Sequence, residues 1–324
     1  MLRFVTTRSH QYTMRALRPA LGRSRIAVWH YDRLFRQRGL PGGTWIFTDH
    51  ERLDPYELRL AAEIARLLRA AGIRVLNNPA RVRCRVDLLR ALHRAGINSF
   101  SAWRADEAPR PDRFPVFVRA ESDHLLPHSG LLHSQQELDA ALEDLKARGE
   151  PLRGLAVITY EAEQIRAGMW RKYSTFRVGG QVFTHHTVVD YQWVVKMGDL
   201  KRLRKEPALA ELTAEEHGFV RDNPHADVLM RAFEVAGIEF GRADFGLVGG
   251  RPQIYEINTN PMLGLTDRGA MPLREETLRI GKQRLLSAVG ALVQPDEGRV
   301  RLDSPELAPH QGWRGWLVRS RPKP

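Results

Sequence analysis

One short segment of the chain combines oxygen-bearing and cationic side chains at spacings that could support metal chemistry. Asp244 and Glu256 carry carboxylates, Asn258 carries an amide oxygen, and Arg242 places a fixed positive charge two residues before Asp244. Such hard oxygen ligands suit Mg²⁺ held together with the phosphate groups of a substrate. Taken singly, an acidic strand residue usually faces solvent, and an asparagine near a proline usually starts a turn. The combination instead favours a site for a metal ion and a nucleotide.

A β-hairpin is the element that would bring these side chains together. Two apolar runs flank Gly249-Gly250, a glycine pair typical of a tight hairpin turn. Glu256 and Asn258 are two positions apart, so in a strand they point to the same face. Pairing the two strands across the glycine turn brings Asp244 close to them. The spacing therefore predicts two carboxylates and one amide converging at one end of a hairpin.

The segment resembles the C-terminal signature of the ATP-grasp superfamily. Arg-x-Asp, a glycine-containing turn and then Glu-Ile-Asn-x-x-Pro follow the pattern of D-alanine–D-alanine ligases, ribosomal-protein glutamate ligases and glutathione synthetase-like proteins. The resemblance covers about residues 77–292 and is strongest over 237–263. It implies an α+β (α/β) chain with an ATP-grasp fold, in which two lobes clasp the nucleotide and a small α/β domain precedes them.

The resemblance also implies roles for the residues of the hairpin. In the family, the positions of Asp244, Glu256 and Asn258 bind two Mg²⁺ ions on the triphosphate of ATP, and Mn²⁺ is an alternative ion. Arg242 is implied to contact the transferred phosphoryl group or the tetrahedral intermediate, which makes it the candidate catalytic residue.

Contacts with the nucleotide are implied at further positions, some of which depart from the family pattern. Two lysines of the family's first lobe correspond here to Arg85 and Arg119, which keep the positive charge in a bulkier group. Glu161, with Glu163 close by, follows the strand that resembles the family's hinge and is implied to hold adenine or ribose. Lys172 precedes the next hairpin, where relatives place a basic residue facing the phosphates.

Two other regions are candidates for substrate contacts. The loop over residues 121–130 contains one glycine where many relatives place several, and its hydroxyl and imidazole groups, among them His124, could donate to phosphate instead. His185-His186 are adjacent on a strand, so we expect them to point to opposite faces and to make a poor metal site. We expect them, with Trp193 and Lys196, to line the acceptor pocket.

Helical and extended segments alternate along the chain, as in α/β or α+β proteins. The predicted strands are 26–30, 44–48, 74–76, 114–120 and 155–160, with hairpins over 177–189 and 243–257. Five helices are predicted. The first begins at the Asp54-Pro55 cap, the second covers 86–95 and the third runs from the Ser134 cap to 147. The fourth covers 226–236, after a capping box at Thr213–Glu216, and the fifth covers 274–292. We assign residues 1–80 to an N-terminal α/β domain, 81–295 to the ATP-grasp domain and 296–324 to a basic tail.

Composition narrows the class of protein. Hydrophobic and charged contents of 43% and 27% over 324 residues are ordinary for a soluble globular chain. No run of apolar residues approaches the length of a membrane span, and the N-terminus lacks the apolar stretch of a secretory signal, so we expect a cytoplasmic protein. The single Cys84 cannot form an internal disulfide. A net charge of +12 could attract nucleic acid, but the arginines are scattered, so we expect no nucleic-acid partner. The sequence does not indicate the oligomeric state.

The leading hypothesis is an ATP- and Mg²⁺-dependent carboxylate–amine ligase that works through an acyl phosphate, with small-molecule or peptide acids and amines as substrates. The sequence shows no Ser-His-Asp or Cys-His constellation for nucleophilic catalysis. This hypothesis requires none, since positioning and electrostatics supply most of phosphoryl-transfer catalysis. The replaced lysines and the glycine-poor loop motivate one alternative, an ATP-binding protein without ligase activity. A second alternative is a kinase of small molecules.

Overall fold

The computed structural model describes residues 1–22, 24–122, 125–196, 198–263 and 271–311. Within these residues the chain builds three units of mixed helix and strand, each organised around one main sheet. This architecture confirms the α+β (α/β) class. No helix in the described ranges has the length and apolar character needed to cross a membrane. His124 and the end of the predicted tail, from residue 312, lie outside the described residues.

The first unit is a parallel sheet with a helix packed against it. Its elements are β1 (Leu2–Thr6), α1 (Leu17–Leu21), β2 (Ile26–His30), α2 (Tyr31–Leu34), β3 (Gly39–Pro41), β4 (Thr44–Phe47), α3 (Pro55–Ala70) and β5 (Arg74–Leu76), with short 3-10 segments at Arg8–Ala16 and His50–Arg52. The sheet has the order β2-β1-β4-β5. Helix α3 begins as predicted, because Asp54 accepts the backbone N–H of Glu57 at 2.7 Å in a complete capping box.

The second unit is a three-stranded antiparallel sheet between two helices. Its elements are α4 (Arg85–Arg94), β6 (Ala102–Arg104), β7 (Val116–Ala120), α5 (Gln135–Ala147) and β8 (Leu155–Thr159). The strand order is β6-β8-β7. Successive side chains of β8 alternate between the two cores, so Val157 packs with α5 whereas Ile158 packs with α4. The predicted cap at Ser134 is present, since its hydroxyl accepts the N–H of Glu137.

The third unit contains the predicted hairpin. Its elements are β9 (Gln164–Arg166), β10 (Met169–Val178), β11 (Gln181–Asp190), α6 (Leu200–Leu203), α7 (Leu209–Asp222), α8 (Ala226–Ala236), β12 (Phe240–Val248), β13 (Arg251–Asn258) and α9 (Pro272–Gly290), and the strand that follows, β14 (Arg299–Arg301), returns to the first unit. The sheet runs β11-β10-β12-β13, with β9 beside β10. Gly249 and Gly250 both have positive φ, 54° and 73°, which suits the tight turn joining β12 to β13.

A shared hydrophobic core fastens the first unit to the third. Leu2, Phe4 and Ile46 of the parallel sheet pack with Phe240 of β12 and Val289 of α9. The rings of Phe4 and Phe240 meet edge to face at 5.2 Å between centroids. The first unit is therefore held at a defined position over the antiparallel sheet.

Asn77 reinforces this junction with hydrogen bonds. It is fully buried, and its backbone adopts the left-handed conformation with φ of 55°. Its Nδ2 donates to the carbonyls of Phe47 at 3.0 Å and Phe240 at 2.7 Å. Its Oδ1 accepts the backbone N–H groups of Glu239 and Phe240 at 2.8 and 2.9 Å. One side chain thus satisfies four backbone groups from two units.

The structure differs from the sequence-based expectations in some elements and completes them in others. Strand β1 was not predicted, although it is central in the first sheet. Thr213 does not cap a helix: it lies inside α7, where its hydroxyl donates to the carbonyl of Leu209 at 2.8 Å. The C-terminal segment, expected as a tail or a loosely docked extension, is docked over its described residues, because β14 pairs with β3 and Leu302 and Leu307 are buried in the first unit's core. The domain limits themselves stay a prediction.

Candidate active site

A cavity of about 440 Å³ opens where the three units meet. The hairpin β12–β13 and strand β10 form one side, the second unit forms another, and the first unit closes one end. Of the residues predicted from sequence, those in its wall are Arg119, Glu161, Lys172, Trp193, Lys196, Arg242, Asp244, Glu256 and Asn258. Those placed outside the wall are Arg85, Glu163, His185 and His186.

Asp244 is the most enclosed of the three candidate metal ligands. It lies opposite Glu256 in the hairpin register and is 1% exposed. Its Oδ1 accepts the Ser174 hydroxyl at 3.0 Å and Arg242 Nε at 2.8 Å. Its Oδ2 lies 3.0 Å from Lys172 Nζ. The candidate catalytic arginine and the candidate phosphate-binding lysine therefore meet at one carboxylate.

The electrostatic surroundings keep Asp244 ionised. Burial raises the pKa of this carboxyl, but the positive charges of Arg242 and Lys172 outweigh burial, and the pKa lies below its ordinary value of 3.8. The carboxylate of Glu256 acts against them and raises the pKa of Asp244. Asp244 is accordingly an anion at neutral pH, as a cation ligand must be.

Glu256 is held by an arginine from the second unit. Arg85 Nη2 donates to Glu256 Oε2 at 2.6 Å, while its Nη1 donates to the carbonyl of Ala120 at 2.6 Å. Arg85 is buried at the first residue of α4 and so links the end of β7 to the hairpin. Asn258 Oδ1 accepts the backbone N–H of Asn260 at 2.7 Å. Contact of Arg85 with phosphate stays a prediction, and the role that the structure gives it is to orient Glu256.

The donor set fits a divalent cation by its chemistry. Asp244 and Glu256 supply carboxylate oxygens already bonded to cationic side chains, and Asn258 adds a neutral oxygen beside them. Among the described residues, no group of three or more His, Cys, Asp or Glu side chains is arranged to hold a metal ion. Two carboxylates and one amide suit an ion that is also bound by substrate phosphates, because Mg²⁺ rarely occupies an all-protein cage.

The other end of the cavity is aromatic. The Trp193 ring meets Phe117 at 5.1 Å and Tyr160 at 5.6 Å between centroids, both edge to face. Ile158 and Tyr255 complete this part of the wall. The Tyr160 hydroxyl oxygen is 2.9 Å from Trp170 Nε1, which donates to it. An apolar slot therefore lies next to a cluster of charged groups.

The two glutamates near the end of β8 have different positions. Glu161 lies in the cavity wall, forms an ion pair with Arg113 and accepts the Tyr255 hydroxyl at its carbonyl at 3.1 Å. Glu163 instead accepts the backbone N–H of Gly249 at 2.7 Å and so stabilises the turn between β12 and β13. Glu161 remains the candidate for a nucleotide contact.

The prediction for the histidine pair was wrong, because β11 contains a bulge. Ser174 pairs with His186 and Thr175 pairs with Thr184, which leaves His185 as an extra residue in the strand. The bulge turns both imidazoles the same way, with the two Nδ1 atoms 2.9 Å apart. Both rings are buried beside α9 and outside the cavity wall, so they support the sheet beneath the site.

Buried neutral histidines make stability depend on pH. Burial lowers the pKa of His185 from 6.5 to about 3, with Arg242 acting in the same direction, and burial lowers the pKa of His50 to about 4. The unfolded chain binds these protons near pH 6.5 and the folded chain does not, so we expect the free energy of unfolding to fall as pH decreases from 6.5 toward 4. Urea unfolding at several pH values measures this slope, which His185→Gln should reduce and His133→Gln, at an exposed site, should not. An unchanged slope in His185→Gln would contradict the assignment.

None of the residues that the first unit contributes to the cavity wall was predicted from the sequence. His10, Tyr12, Asp49, Glu51 and Arg52 line the cavity beside the segment that follows β13, where the Asp49 N–H donates to the Thr259 hydroxyl at 2.9 Å. A signal was available, because a run of charged residues follows the predicted strand 44–48, and ligands in parallel sheets bind beyond the carboxyl ends of strands.

Comparison with known proteins supports the fold. No protein-family model matches the chain, and no curated protein matches it. Among solved structures, the ATP-grasp ligase PsnB complexed with minimal precursor matches with a TM-score of 0.50 at 12% identity, over 90% of this chain and 98% of that one. The RimK domain ATP-grasp protein of Sphaerobacter thermophilus gives 0.47 at 13% identity, over 90% and 100% of the two chains. D-alanine–D-alanine ligase from Bacillus anthracis complexed with ATP gives 0.46 at 12%, over 89% and 98%. The chain therefore has the ATP-grasp fold.

Proposed function

We propose that the chain is an ATP- and Mg²⁺-dependent carboxylate–amine ligase. The observation that carries the proposal is the layout of the cavity, which joins an aromatic slot to the cluster of Asp244, Lys172 and Arg242. An apolar slot suits a base, and adjacent cations suit a triphosphate. The ATP-grasp fold adds support, because it is the fold of a ligase, PsnB.

In this proposal the nucleotide spans the cavity. Its adenine lies against Phe117 and Trp193, with Glu161 at the hinge, and its phosphates extend toward Lys172 and Arg119.

Asp244, Glu256 and Asn258 would hold Mg²⁺, with two ions implied by the family pattern and Mn²⁺ as a substitute. When bound, the metal supplies neutralisation of the triphosphate charge and of the charge that moves during phosphoryl transfer. Arg85 acts on this set indirectly, because its bond to Glu256 fixes one carboxylate relative to the second unit.

The proposed reaction has two steps. A carboxylate oxygen of the acid attacks the γ-phosphorus of ATP, the bond from that phosphorus to the bridging oxygen breaks, and ADP leaves. The nitrogen of the amine then attacks the acyl carbon, the acyl C–O bond breaks, phosphate leaves and the nitrogen loses a proton to water. Arg242 and Lys172 stabilise the negative charge that develops on the phosphoryl oxygens.

The first unit provides the surfaces that would select the acid and the amine. Glu51 can attract an ammonium group, and Arg52, which also pairs with Asp49 at 3.1 Å, can bind a carboxylate. Tyr12 and Met262, both lining the cavity and half exposed, offer apolar contacts at its rim. Small molecules or peptides that carry both charges fit this wall.

A screen of amino acids and dipeptides with Mg·ATP tests the proposal. We expect one pairing to release ADP and phosphate in equal amounts together with an amide product, and an acid labelled with ¹⁸O in its carboxylate to transfer one labelled atom to phosphate. A stable phosphorylated product without an amide would identify a kinase instead. Thermal stabilisation by Mg·ATP with no ADP release under any mixture would identify an ATP-binding protein without ligase activity.

A further inference from the structure

A second cavity, of about 380 Å³, lies at the junction of the first and third units. It is bounded by the end of α3, by β5 and by the turn between β10 and β11. Arg177, at its edge, is five residues along β10 from Lys172, which corresponds to roughly 17 Å at the rise of a β-strand. The cavity is therefore separate from the candidate active site.

Its wall carries an excess of positive charge. Arg69, Arg74 and Arg177 line it, together with one carboxylate, that of Glu239. In the part of the chain that the structure describes, none of these three arginines forms an ion pair, although many other arginines do. The carboxylate of Glu239 accepts the backbone N–H of Asn77 at 3.1 Å. Three guanidinium groups and one carboxylate thus line one cavity, and none of the three guanidinium groups is paired with that carboxylate.

The backbone brings the guanidinium groups together. Arg177 Nε donates to the carbonyl of Gly179 at 3.0 Å, and Arg69 Nη2 lies 3.4 Å from the carbonyl of Val75. Arg74 Nη2 is 3.4 Å from the position that a β-carbon on Gly179 would occupy. Two of the three groups therefore converge on Gly179, and two are tethered to carbonyls, which lowers the entropy lost when they bind an anion.

We propose that this cavity binds a small molecule that carries phosphate groups. A guanidinium presents paired donors that match the oxygens of a phosphate, and the excess of two positive charges over Glu239 favours a polyvalent anion. Arg69 and Arg74 belong to the first unit and Arg177 to the third, so a bound anion joins the two units. It stabilises the assembled fold through ligand linkage.

Pyrophosphate is the probe for this site, because it needs no turnover and offers several phosphate oxygens. Isothermal titration of the full chain is compared among the wild type, the double variant Arg74→Ala/Arg177→Ala and Lys172→Ala. We expect the double variant to bind pyrophosphate at least about tenfold more weakly than the wild type, since two charge-assisted contacts are lost. We expect Lys172→Ala, in the candidate active site, to retain this binding.

A second double variant, Arg231→Ala/Arg251→Ala, controls for the change in net charge, since both residues are exposed elsewhere on the surface. It should bind pyrophosphate as the wild type does. Pyrophosphate should also raise the melting temperatures of this variant and of the wild type equally, because the bound anion joins the two units. The proposal is overturned if both double variants bind equally well, if Lys172→Ala alone abolishes binding, or if the wild type binds no pyrophosphate. These results are independent of the proposed ligase activity, because no measurement depends on turnover.

Discussion

Replacing Asp244 with asparagine is expected to lower turnover by about 100-fold or more, a loss of roughly 3 kcal/mol in transition-state stabilisation. The substitution keeps the size of the side chain and removes its charge. Arg242 and Lys172 then lose the anion that holds them, and the proposed metal site loses its most buried carboxylate. Release of ADP with the substrate pair found in the screen measures the effect.

Asp222→Asn is the matched control for this variant. Asp222 is exposed at the end of α7, pairs with the neighbouring Arg221 and lies outside the wall of the candidate site's cavity, so its loss should leave turnover unchanged. Melting temperatures of both variants verify folding. Full turnover by a folded Asp244→Asn protein would refute the assignment of the site.

Replacing Asn77 with alanine is expected to produce the largest loss of stability, about 3–5 kcal/mol. Four buried backbone groups, contributed by Phe47, Glu239 and Phe240, would lose their hydrogen-bond partner. Alanine would also have to adopt the left-handed conformation at φ of 55°, which favours asparagine or glycine. Urea unfolding measures the difference from the wild type.

Two further variants separate the causes. Asn77→Gly removes the same hydrogen bonds without backbone strain, so it should be about 1 kcal/mol more stable than Asn77→Ala. Asn78→Ala loses only one acceptor, which binds the N–H of Ala80 at 3.1 Å, and should cost about 1 kcal/mol or less. If Asn77→Ala were as stable as Asn78→Ala, the junction would not depend on this side chain.

The hairpin that carries the candidate site was predictable because its signals are local. The glycine pair fixes the turn, and the period of a strand fixes which side chains share a face. The facing of Asp244, however, was not fixed locally. The turn alone would pair it with Tyr255, and a register shift between Asp244 and Phe245 instead places Asp244 opposite Glu256 and Arg242 opposite Asn258. The helices with clear caps, such as the one that begins after Asp54, were predictable for the same reason.

Features that depend on distant partners were not predictable in this way. Strand β1 contains Arg3, whose charge argues against a buried strand, yet this residue is paired with Asp296 at 2.6 Å. The bulge at His185 reverses the facing of one side chain, and no local residue type announces it. Thr213 has the spacing of a cap, but the apolar face of α7 continues through it to bury Leu212 and Val220.

In the candidate site, too, local features were predictable and contacts between distant residues were not. The hairpin β12–β13 was recognised from its own residues. Arg85 was assigned to phosphate from the family resemblance, and its contact with Glu256 was not predictable because the two residues are 171 positions apart. The first unit's wall, with Asp49 and Arg52, becomes part of the site only after three separate sheets have assembled.

The docking of β14 on β3 has a consequence for the order of events during synthesis. Leu40 and Phe47 belong to a core that also includes Leu302 and Leu307, and Arg3 forms its ion pair with Asp296. The first unit therefore cannot complete its own interior until the residues up to about 307 have been synthesised. A nascent chain halted near residue 290 would keep that surface open to proteases and chaperones.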